Sequence, residues 1–270
     1  MKIAYFTDTF LPFITGVSVA VWDLARSVAD RGHEIHLVAP IPRGFGYEHP
    51  NVHFVQVRSI PAGLIYPGFR LASPYNGRVH RYVKDAGIDV IHYHTPLFLG
   101  RLAMATAKRH KLPLVGTYHT SVDSREYRAH WKMHHRLFDR GMTRYIDFFY
   151  RRCDLVSMPT SAYAEEVESL GLDYPTRVIS NGIDLRKFPE VDPSEIRARY
   201  PGKIVLSVGR IAREKNLIFL MDAWPQLQDE AHLLMIGGGP MERELREYAK
   251  RKGLRNVHFL GMIPHEDLIL

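Results

Sequence analysis

Arg210 and Lys215 flank a point where a strand is expected to end and a helix to begin. Residues 203–208 are apolar and β-branched, which is typical of a strand, and residues 217–224 have apolar side chains at helical spacing. Gly209 separates the two segments. A guanidinium, an ammonium and the free N–H groups of a helical first turn together suit a diphosphate. An ordinary solvated loop is the alternative interpretation.

Glycines mark two further loops of the same kind. Gly16 follows the first strand and precedes the first long helix, where it would let the backbone approach a ligand closely. A simple turn glycine is the alternative. Gly237 and Gly238 open a Gly-Gly-Gly-Pro sequence between another strand and helix. The first strand-helix turn lacks Gly-x-Gly-x-x-Gly, which argues against a nicotinamide dehydrogenase.

Two histidines end predicted strands. His94 and His119 therefore stand out among the 15 histidines of the chain. An imidazole at the carboxyl end of a strand can offer a hydrogen bond or a proton near neutral pH. A surface or structural role is the alternative for either residue.

The elements that would position these residues alternate between strand and helix. Helical patterns occur near residues 19–31, 76–86, 99–110 and 163–170. Strand patterns occur at residues 3–6, 34–39, 52–57, 90–94, 114–118, 155–159 and 177–180. This alternation predicts an α/β fold whose parallel sheet has helices on both faces, with ligands beyond the carboxyl ends of the strands.

A second alternating unit begins near residue 203. Strands are expected at residues 203–208, 231–236 and 256–260, with helices at 217–224 and 241–252. Pro189, Pro193 and Pro201 mark the connection. We therefore predict an N-terminal Rossmann-like domain at residues 1–188, a linker at 189–202 and a second domain at 203–270. The second domain is expected to be incomplete, because only three strands fit within it.

Composition restricts the class of protein. The 270 residues are 46% hydrophobic and 24% charged, as in globular proteins. The single cysteine, Cys153, excludes an intrachain disulfide and fits a reducing compartment. A signal peptide and long apolar segments are lacking, so we expect a cytoplasmic protein, either soluble or peripheral at the inner face of the membrane.

The charge of the chain favours anionic partners. The net charge is +7 and the isoelectric point about 9.4, which suits nucleotides or phospholipid headgroups. The sequence has no zinc-ligand spacing and no RNA-recognition signature. Neither nucleic acid nor a metal is therefore expected as a partner.

Several motifs in order resemble glycosyltransferase family 4. They are TDTFLP at residues 7–12 with Gly16, YHT at 118–120, SNGID at 180–184, GR at 209–210 with KN at 215–216, and GGGP at 237–240. The resemblance implies the GT-B architecture of two Rossmann-like domains. It also implies metal-independent, retaining transfer of a hexose from a UDP- or GDP-sugar, with no cofactor. The acceptor would be a lipid or a glycan.

The same resemblance assigns roles to individual residues. Arg210 and Lys215 would bind the donor diphosphate, Gly16 would approach the phosphates, and His119 would lie near the transferred sugar. Gly237, Gly238 and Met262 would shape the nucleotide side. The family also carries a Glu-x7-Glu motif further along, which does not occur before Leu270. We therefore expect a truncated chain, with an inactive nucleotide-binding or regulatory module as the alternative.

The acceptor side is indicated by a basic, aromatic segment at residues 125–152, which includes Trp131, Arg136 and Phe148. Such a helical region can lie on an anionic membrane surface. The alternative is that the aromatic residues of this segment pack on their own domain. The segment and the preceding YHT resemble the diacylglycerol glucosyltransferase branch of the family, which favours a lipid acceptor. A soluble sugar or a phosphoinositol-like acceptor remains open.

Overall fold

The computed structural model describes residues 1–42, 48–62, 70–119, 136–185 and 190–263. The chain forms two compact units that divide between Ile183 and Asp184. Each unit has its own parallel sheet and its own apolar core.

The first unit alternates strands and helices along most of its length. In chain order it contains β1 (Lys2–Phe6), α1 (Gly16–Ala29), β2 (Glu34–Ala39), β3 (Val52–Gln56), β4 (Ser59–Pro61), β5 (Arg70–Ala72), α2 (Gly77–Asp85), β6 (Val90–Tyr93), α3 (Phe98–His110), β7 (Leu114–Thr117), α4 (Arg136–Tyr150), β8 (Leu155–Met158), α5 (Ser161–Ser169) and β9 (Thr176–Val178).

Seven of these strands form one parallel sheet in the order β3-β2-β1-β6-β7-β8-β9. The chain moves outward from β1 to β3 and then returns to place β6 on the other side of β1. The strand order thus reverses between β1 and β6, and open α/β sheets bind ligands beyond the carboxyl ends of the strands at such a reversal.

Apolar side chains cover both faces of this sheet. On one face, Val21 and Ala25 of α1 pack with Ile35 and Leu37 of β2. On the other face, α2 to α5 pack over residues such as Phe6. Each apolar side chain fully removed from water contributes about 1.5–3 kcal/mol, so the alternating apolar positions of β2 hold helices on both sides.

The predicted α/β alternation is confirmed, and three differences have local causes. Helix α1 begins at Gly16 rather than near residue 19, because Thr15 and Ser18 form a capping box there. The antiparallel pair of β4 and β5 was not predicted, since each strand has only three residues and shows no periodic pattern. Asn76 caps α2 by accepting a hydrogen bond from the Arg78 N–H at 3.1 Å, so the helix starts one residue after it.

The second unit is smaller. It contains α6 (Ser194–Arg199), β10 (Lys203–Val208), a 3-10 turn (Arg213–Lys215), α7 (Leu217–Ala223), a second 3-10 turn (Trp224–Gln226), β11 (Ala231–Ile236), α8 (Glu242–Arg251) and β12 (Val257–Gly261). The strands form a parallel sheet in the order β10-β11-β12. Trp224 and Leu245 are fully buried in its core.

Candidate functional site

Asp8 lies directly beyond β1 and binds the start of α3. Its carboxylate accepts hydrogen bonds from the Leu99 backbone N–H, at 3.1 Å from each oxygen, and from the Thr95 hydroxyl at 2.8 Å. The Asp8 backbone N–H donates to Thr95 Oγ1 at 2.7 Å. Within the described structure, Leu97 at the N-cap of α3 makes no side-chain capping bond. Asp8 therefore caps α3 from another part of the chain.

The burial of Asp8 affects its protonation. Burial raises the pKa of Asp8 from 3.8 to about 6, although the hydrogen bonds from Thr95 and from the α3 backbone oppose the shift. The carboxylate is thus charged at pH 7 and faces the positive end of the helix dipole. An anionic ligand cannot use this helix end, because Asp8 already occupies it.

Three histidines, His92, His94 and His119, lie in contact with one another at the ends of β6 and β7. The rings of His92 and His94 are 4.1 Å apart between centroids, and His94 Nδ1 lies 3.1 Å from His119 Nε2. Burial lowers the pKa of His92 to about 3 and that of His119 to about 4. Burial, together with the two neighbouring histidines, holds the pKa of His94 well below 6.5. All three rings are therefore neutral at pH 7.

The contact between His94 and His119 requires one proton between the two facing nitrogens, His94 Nδ1 and His119 Nε2. Among the described residues, the buried Nε2 of His94 has no hydrogen-bond partner. An unpaired buried donor is more costly than an unused acceptor, which favours the tautomer in which His94 Nδ1 donates to His119 Nε2. In that tautomer His119 presents its Nδ1 as a neutral N–H donor.

Gly16 stands at the start of α1, with open space beside it. A Cβ built on Gly16 meets no described atom within 4 Å. The 14-residue helix has no acidic side chain in its first turn. This helix end is thus accessible and positive, as a phosphate site requires, whereas the start of α3 is not.

Arg210 and Lys215 line a single cavity of about 120 Å³ in the second unit. Gly209, at the end of β10, has a φ of 147°. The Cε atom of Lys215 lies 3.9 Å from the position of a Cβ on Gly209, so the lysine side chain folds back over the end of the strand. The structure therefore brings both predicted cations to the carboxyl end of β10.

The helix expected to follow these cations begins differently. Lys215 belongs to the 3-10 turn, and Asn216 has a φ of 47° before α7 begins at Leu217. Asparagine tolerates this left-handed conformation, which interrupts the chain between the turn and the helix. The positive charge of the cavity therefore rests on the two side chains rather than on the N–H groups of a long helix.

The glycines after β11 allow two loops to touch through their backbones. A Cβ on Gly237 would lie 2.0 Å from the Gly209 carbonyl oxygen, and one on Gly239 would lie 2.2 Å from the Ile211 carbonyl oxygen. The Ile211 N–H donates to the Gly238 carbonyl at 2.9 Å. These contacts require glycine at residues 237 and 239, and they fix the backbone around Arg210.

The predicted nucleotide-side residues also come together. Met262 Cγ and Sδ lie 3.4 Å and 3.5 Å from the position of a Cβ on Gly238. Met262 itself is 80% exposed. Gly237, Gly238 and Met262 thus adjoin the Arg210 cavity in the second unit, whereas Gly16 and His119 belong to the first.

Sequence reasoning gave no role to Asp8, Thr95 or His92. The available signal was position, since Asp8 follows β1, Thr95 follows β6 and His92 lies two residues before His94. Polar side chains at the carboxyl ends of adjacent parallel strands meet at one edge of the sheet.

The basic, aromatic segment is described from α4 onward, and residues 125–135, including Trp131, lie outside the described residues. On α4, Ile146, Phe149 and Tyr150 are buried in the core. Phe148 is instead 38% exposed, with Arg152 4.3 Å from its ring centroid. The helix therefore packs on its own unit by one face and presents a basic, aromatic face as well.

Phe148 and Arg152 line a groove between α3 and α4 with a volume of about 600 Å³. Arg101, Lys108 and Lys111 add three further cations to its walls. In the part of the chain that the structure describes, no helix combines the length and apolar character that a membrane crossing demands.

The chain matches two family models. Glycosyltransferase Family 4 matches residues 14–187, and Glycosyl transferases group 1 matches residues 191–270. The first match alone covers more than half of the sequence, and this chain belongs to glycosyltransferase family 4. Its α/β fold is of the GT-B class, with two Rossmann-like units of which the second is smaller.

Known relatives share both units. The alpha-monoglucosyldiacylglycerol synthase of Streptococcus pneumoniae is 26% identical over 284 residues, which include all of this chain and 63% of that protein. The Acholeplasma laidlawii enzyme of the same name is also 26% identical, over 99% of this chain and 71% of its own. The structure of Anabaena HepE in complex with UDP-glucose has the same fold, with a TM-score of 0.68 and 20% identity over 97% of this chain and 69% of HepE. The chain thus spans about two thirds of the length of these proteins.

Proposed function

We propose that this protein is a retaining hexosyltransferase that moves a hexose from a UDP- or GDP-sugar to a lipid or glycan acceptor without a metal ion. The observation that carries the proposal is the cavity in which Arg210 and Lys215 meet at the carboxyl end of β10. When the glycosidic bond breaks, negative charge accumulates on the departing diphosphate. Fixed cations stabilise that charge more strongly in the transition state than in the ground state.

The two cations have different geometries. Arg210 offers a planar pair of donors to two phosphate oxygens, while Lys215 offers a compact charge. Together they supply the charge neutralisation that a divalent cation provides in other transferases. Gly237, Gly238 and Met262 form the surface beside them for the nucleotide.

The first unit supplies the other roles in the proposal. The open start of α1 at Gly16 accommodates phosphate oxygens. His119 donates a hydrogen bond from its Nδ1 to the transferred sugar. Because the pKa of His119 is about 4, the ring acts at pH 7 as a neutral donor rather than as an imidazolium acid.

A diacylglycerol acceptor is supported by the two relatives named as monoglucosyldiacylglycerol synthases. The groove between α3 and α4 adds a physical argument. Four cations, Arg101, Lys108, Lys111 and Arg152, line it together with Asp154 and the exposed ring of Phe148. Such a surface suits anionic headgroups, with the aromatic ring at the boundary of the acyl chains. We place the protein peripherally on an anionic cytoplasmic membrane surface.

Calorimetric titration with UDP and GDP tests the donor site. Arg210→Ala and Lys215→Ala should each weaken nucleotide binding by roughly 10- to 100-fold, because each removes a charged hydrogen-bond donor. Arg213→Ala is the matched control, since Arg213 lies in the same turn and does not line the cavity. Equal nucleotide affinity in all four proteins would contradict the proposal. Retention is tested separately by proton NMR of the anomeric centre in the product.

Vesicle flotation tests the membrane surface. Binding to phosphatidylglycerol vesicles should exceed binding to phosphatidylcholine vesicles and should fall with salt. Phe148→Ser with Arg152→Ser should reduce it, whereas Tyr75→Ser should not, because Tyr75 is an exposed aromatic residue that does not line the groove. Binding that ignores lipid charge would refute the assignment.

A further inference from the structure

Three potential metal ligands converge at the amino-terminal edge of the large sheet. Glu34 and His36 are two residues apart on β2 and therefore face the same side, and His53 of β3 is paired with His36 in the strand register. Their nearest ligand atoms all lie within 4.8 Å of one another. Glu34 Oε2 is 3.9 Å from Nε2 of His36 and 3.9 Å from Nε2 of His53.

His36 points independently to a ligand at this position. The residue is only 4% exposed, and among the described residues its buried Nε2 has no hydrogen-bond partner. Its other nitrogen, Nδ1, lies 2.7 Å from the Tyr82 hydroxyl of α2. Buried polar atoms normally have partners, and histidines that bind metals typically use one nitrogen for the metal and the other for a hydrogen bond of this kind.

We propose that Glu34, His36 and His53 bind one divalent transition-metal ion, with zinc the best match, and that this ion fastens the edge strand β3 to β2. Two imidazoles and a carboxylate are ligands that zinc accepts, with water in the fourth position. In tetrahedral coordination at about 2.0–2.1 Å the ligand atoms stand roughly 3.3 Å apart. Glu34 and His53 have side chains that are 42% and 45% exposed, so both have the freedom to close the remaining distance.

A cation already pairs with one of the three ligands. Lys2 Nζ lies 3.3 Å from Glu34 Oε2 and competes for the carboxylate. The metal must displace this ammonium, and the affinity of the site is reduced accordingly.

The site is separate from the proposed transfer chemistry. Lys2 and Asp8 stand at opposite ends of β1, and the intervening chain spans about 20 Å at the usual rise of a strand. The ion therefore has a structural role, and the transfer reaction remains metal-independent. The spacing of the three ligands along the sequence does not reveal this site, because they come together only through the pairing of β2 with β3.

Cobalt spectroscopy and calorimetry of the metal-free protein test the proposal. The wild-type chain should bind one Co²⁺ more than His53→Ala and Glu34→Gln, with the visible bands of tetrahedral Co²⁺, and Zn²⁺ should displace it. Zinc at 100 times its Kd should raise the unfolding temperature of the wild type by roughly 5 °C. The two exposed substitutions should leave the metal-free unfolding temperature unchanged, which shows that the fold is intact.

His49→Ala is the matched control, because His49 Nε2 lies 3.1 Å from Asp30 Oδ1 without a third ligand in the described structure. This variant should bind as much Co²⁺ as the wild type. Lys2→Gln should tighten binding several-fold, and unchanged or weaker binding would count against the site. Equal cobalt stoichiometry and equal zinc stabilisation in the wild type and His53→Ala would overturn the proposal.

Discussion

The Nδ1 atom of His94 lies 3.1 Å from Nε2 of His119, so a buried ring is hydrogen-bonded to a more accessible one. His94 is therefore a positioning residue for His119 in the proposed reaction.

Substitution of His94 should affect turnover more than nucleotide binding. His94→Leu removes the donor to His119 and should lower kcat by roughly 3- to 10-fold, the worth of one hydrogen bond. His94→Asn offers an amide N–H in place of Nδ1 and should retain more of the activity. Both variants should bind UDP or GDP normally, because Arg210 and Lys215 lie in the other unit.

Steady-state rates and calorimetry on the same preparations separate the two effects. His80→Ala is the control, since His80 is a partly buried histidine that contacts Thr106 Oγ1 at 2.9 Å, away from His119. Identical kcat values for His94→Leu and the wild type would show that His94 does not position His119.

The neutral histidines make folding stability depend on pH. Below pH 6.5 the unfolded chain binds protons at His92 and His119, whereas the folded protein does so only near pH 3 and 4. Stability is therefore full above pH 6.5 and falls as the pH decreases, by on the order of 1.4 kcal/mol per pH unit for each histidine. The raised pKa of Asp8 has the opposite sign and offsets one histidine between about pH 6 and pH 3.8.

Urea unfolding of the first unit at pH 7.5, 6.5 and 5.5 measures this dependence. His119→Asn should reduce the dependence of the unfolding free energy on pH by about the contribution of one histidine. A free energy of unfolding that stays constant or rises as the pH falls would contradict the burial of His92, His94 and His119 in their neutral forms.

The three glycines after β11 should respond differently to alanine. Gly237→Ala and Gly239→Ala each force a Cβ within 2.2 Å of a backbone carbonyl oxygen, so we expect losses of about 2 kcal/mol or more in the second unit. Gly237 also has a φ of 129°, which adds strain for any side chain. Gly238→Ala meets only ordinary contacts with Met262 and should cost under about 0.5 kcal/mol.

Urea unfolding and UDP titration of the three variants provide the comparison. Nucleotide affinity should fall with Gly237→Ala and Gly239→Ala, because the displaced loop carries Arg210. A similar stability for all three variants would mean that the two loops are not in backbone contact.

The hydrogen bonds that cap α3 predict different losses of stability for two substitutions of Thr95. Thr95→Val removes the hydroxyl that donates to Asp8 and accepts from the Asp8 N–H, so it should destabilise the first unit by about 1–3 kcal/mol. Thr95→Ser keeps the hydroxyl and should cost much less. Thermal unfolding followed by far-ultraviolet circular dichroism distinguishes them, and equal unfolding temperatures would exclude a capping role for the pair.

Much of the fold was predictable because its signals are local. Residues 34–39 and 231–236 were predicted as strands, and they are β2 and β11. Short apolar runs bounded by glycine or charged residues indicate such strands. Apolar residues at helical spacing indicate α3. The motif order then identified the family.

The rest depends on contacts that local patterns do not encode. The roles of Asp8 and His92 follow from which strands are neighbours in the sheet. Strand β1 lies between β6 and β2, the next strand in sequence. Asparagine tolerates the left-handed conformation of Asn216, but the sequence alone does not show which asparagine adopts it. The roles of His119, Gly16, Arg210 and Lys215 stay predictions until the variants are measured.

The bond between Asp8 and the Leu99 N–H joins residues 91 positions apart. Helix α3 thus receives its cap from a strand that must first pair with β6, across a long closed loop whose entropy is lost on pairing. We therefore expect the first turn of α3 to be completed late in folding, so that a substitution at Asp8 should accelerate unfolding more than it slows refolding. Asp8 thus couples the start of α3 to the pairing of β1 with β6.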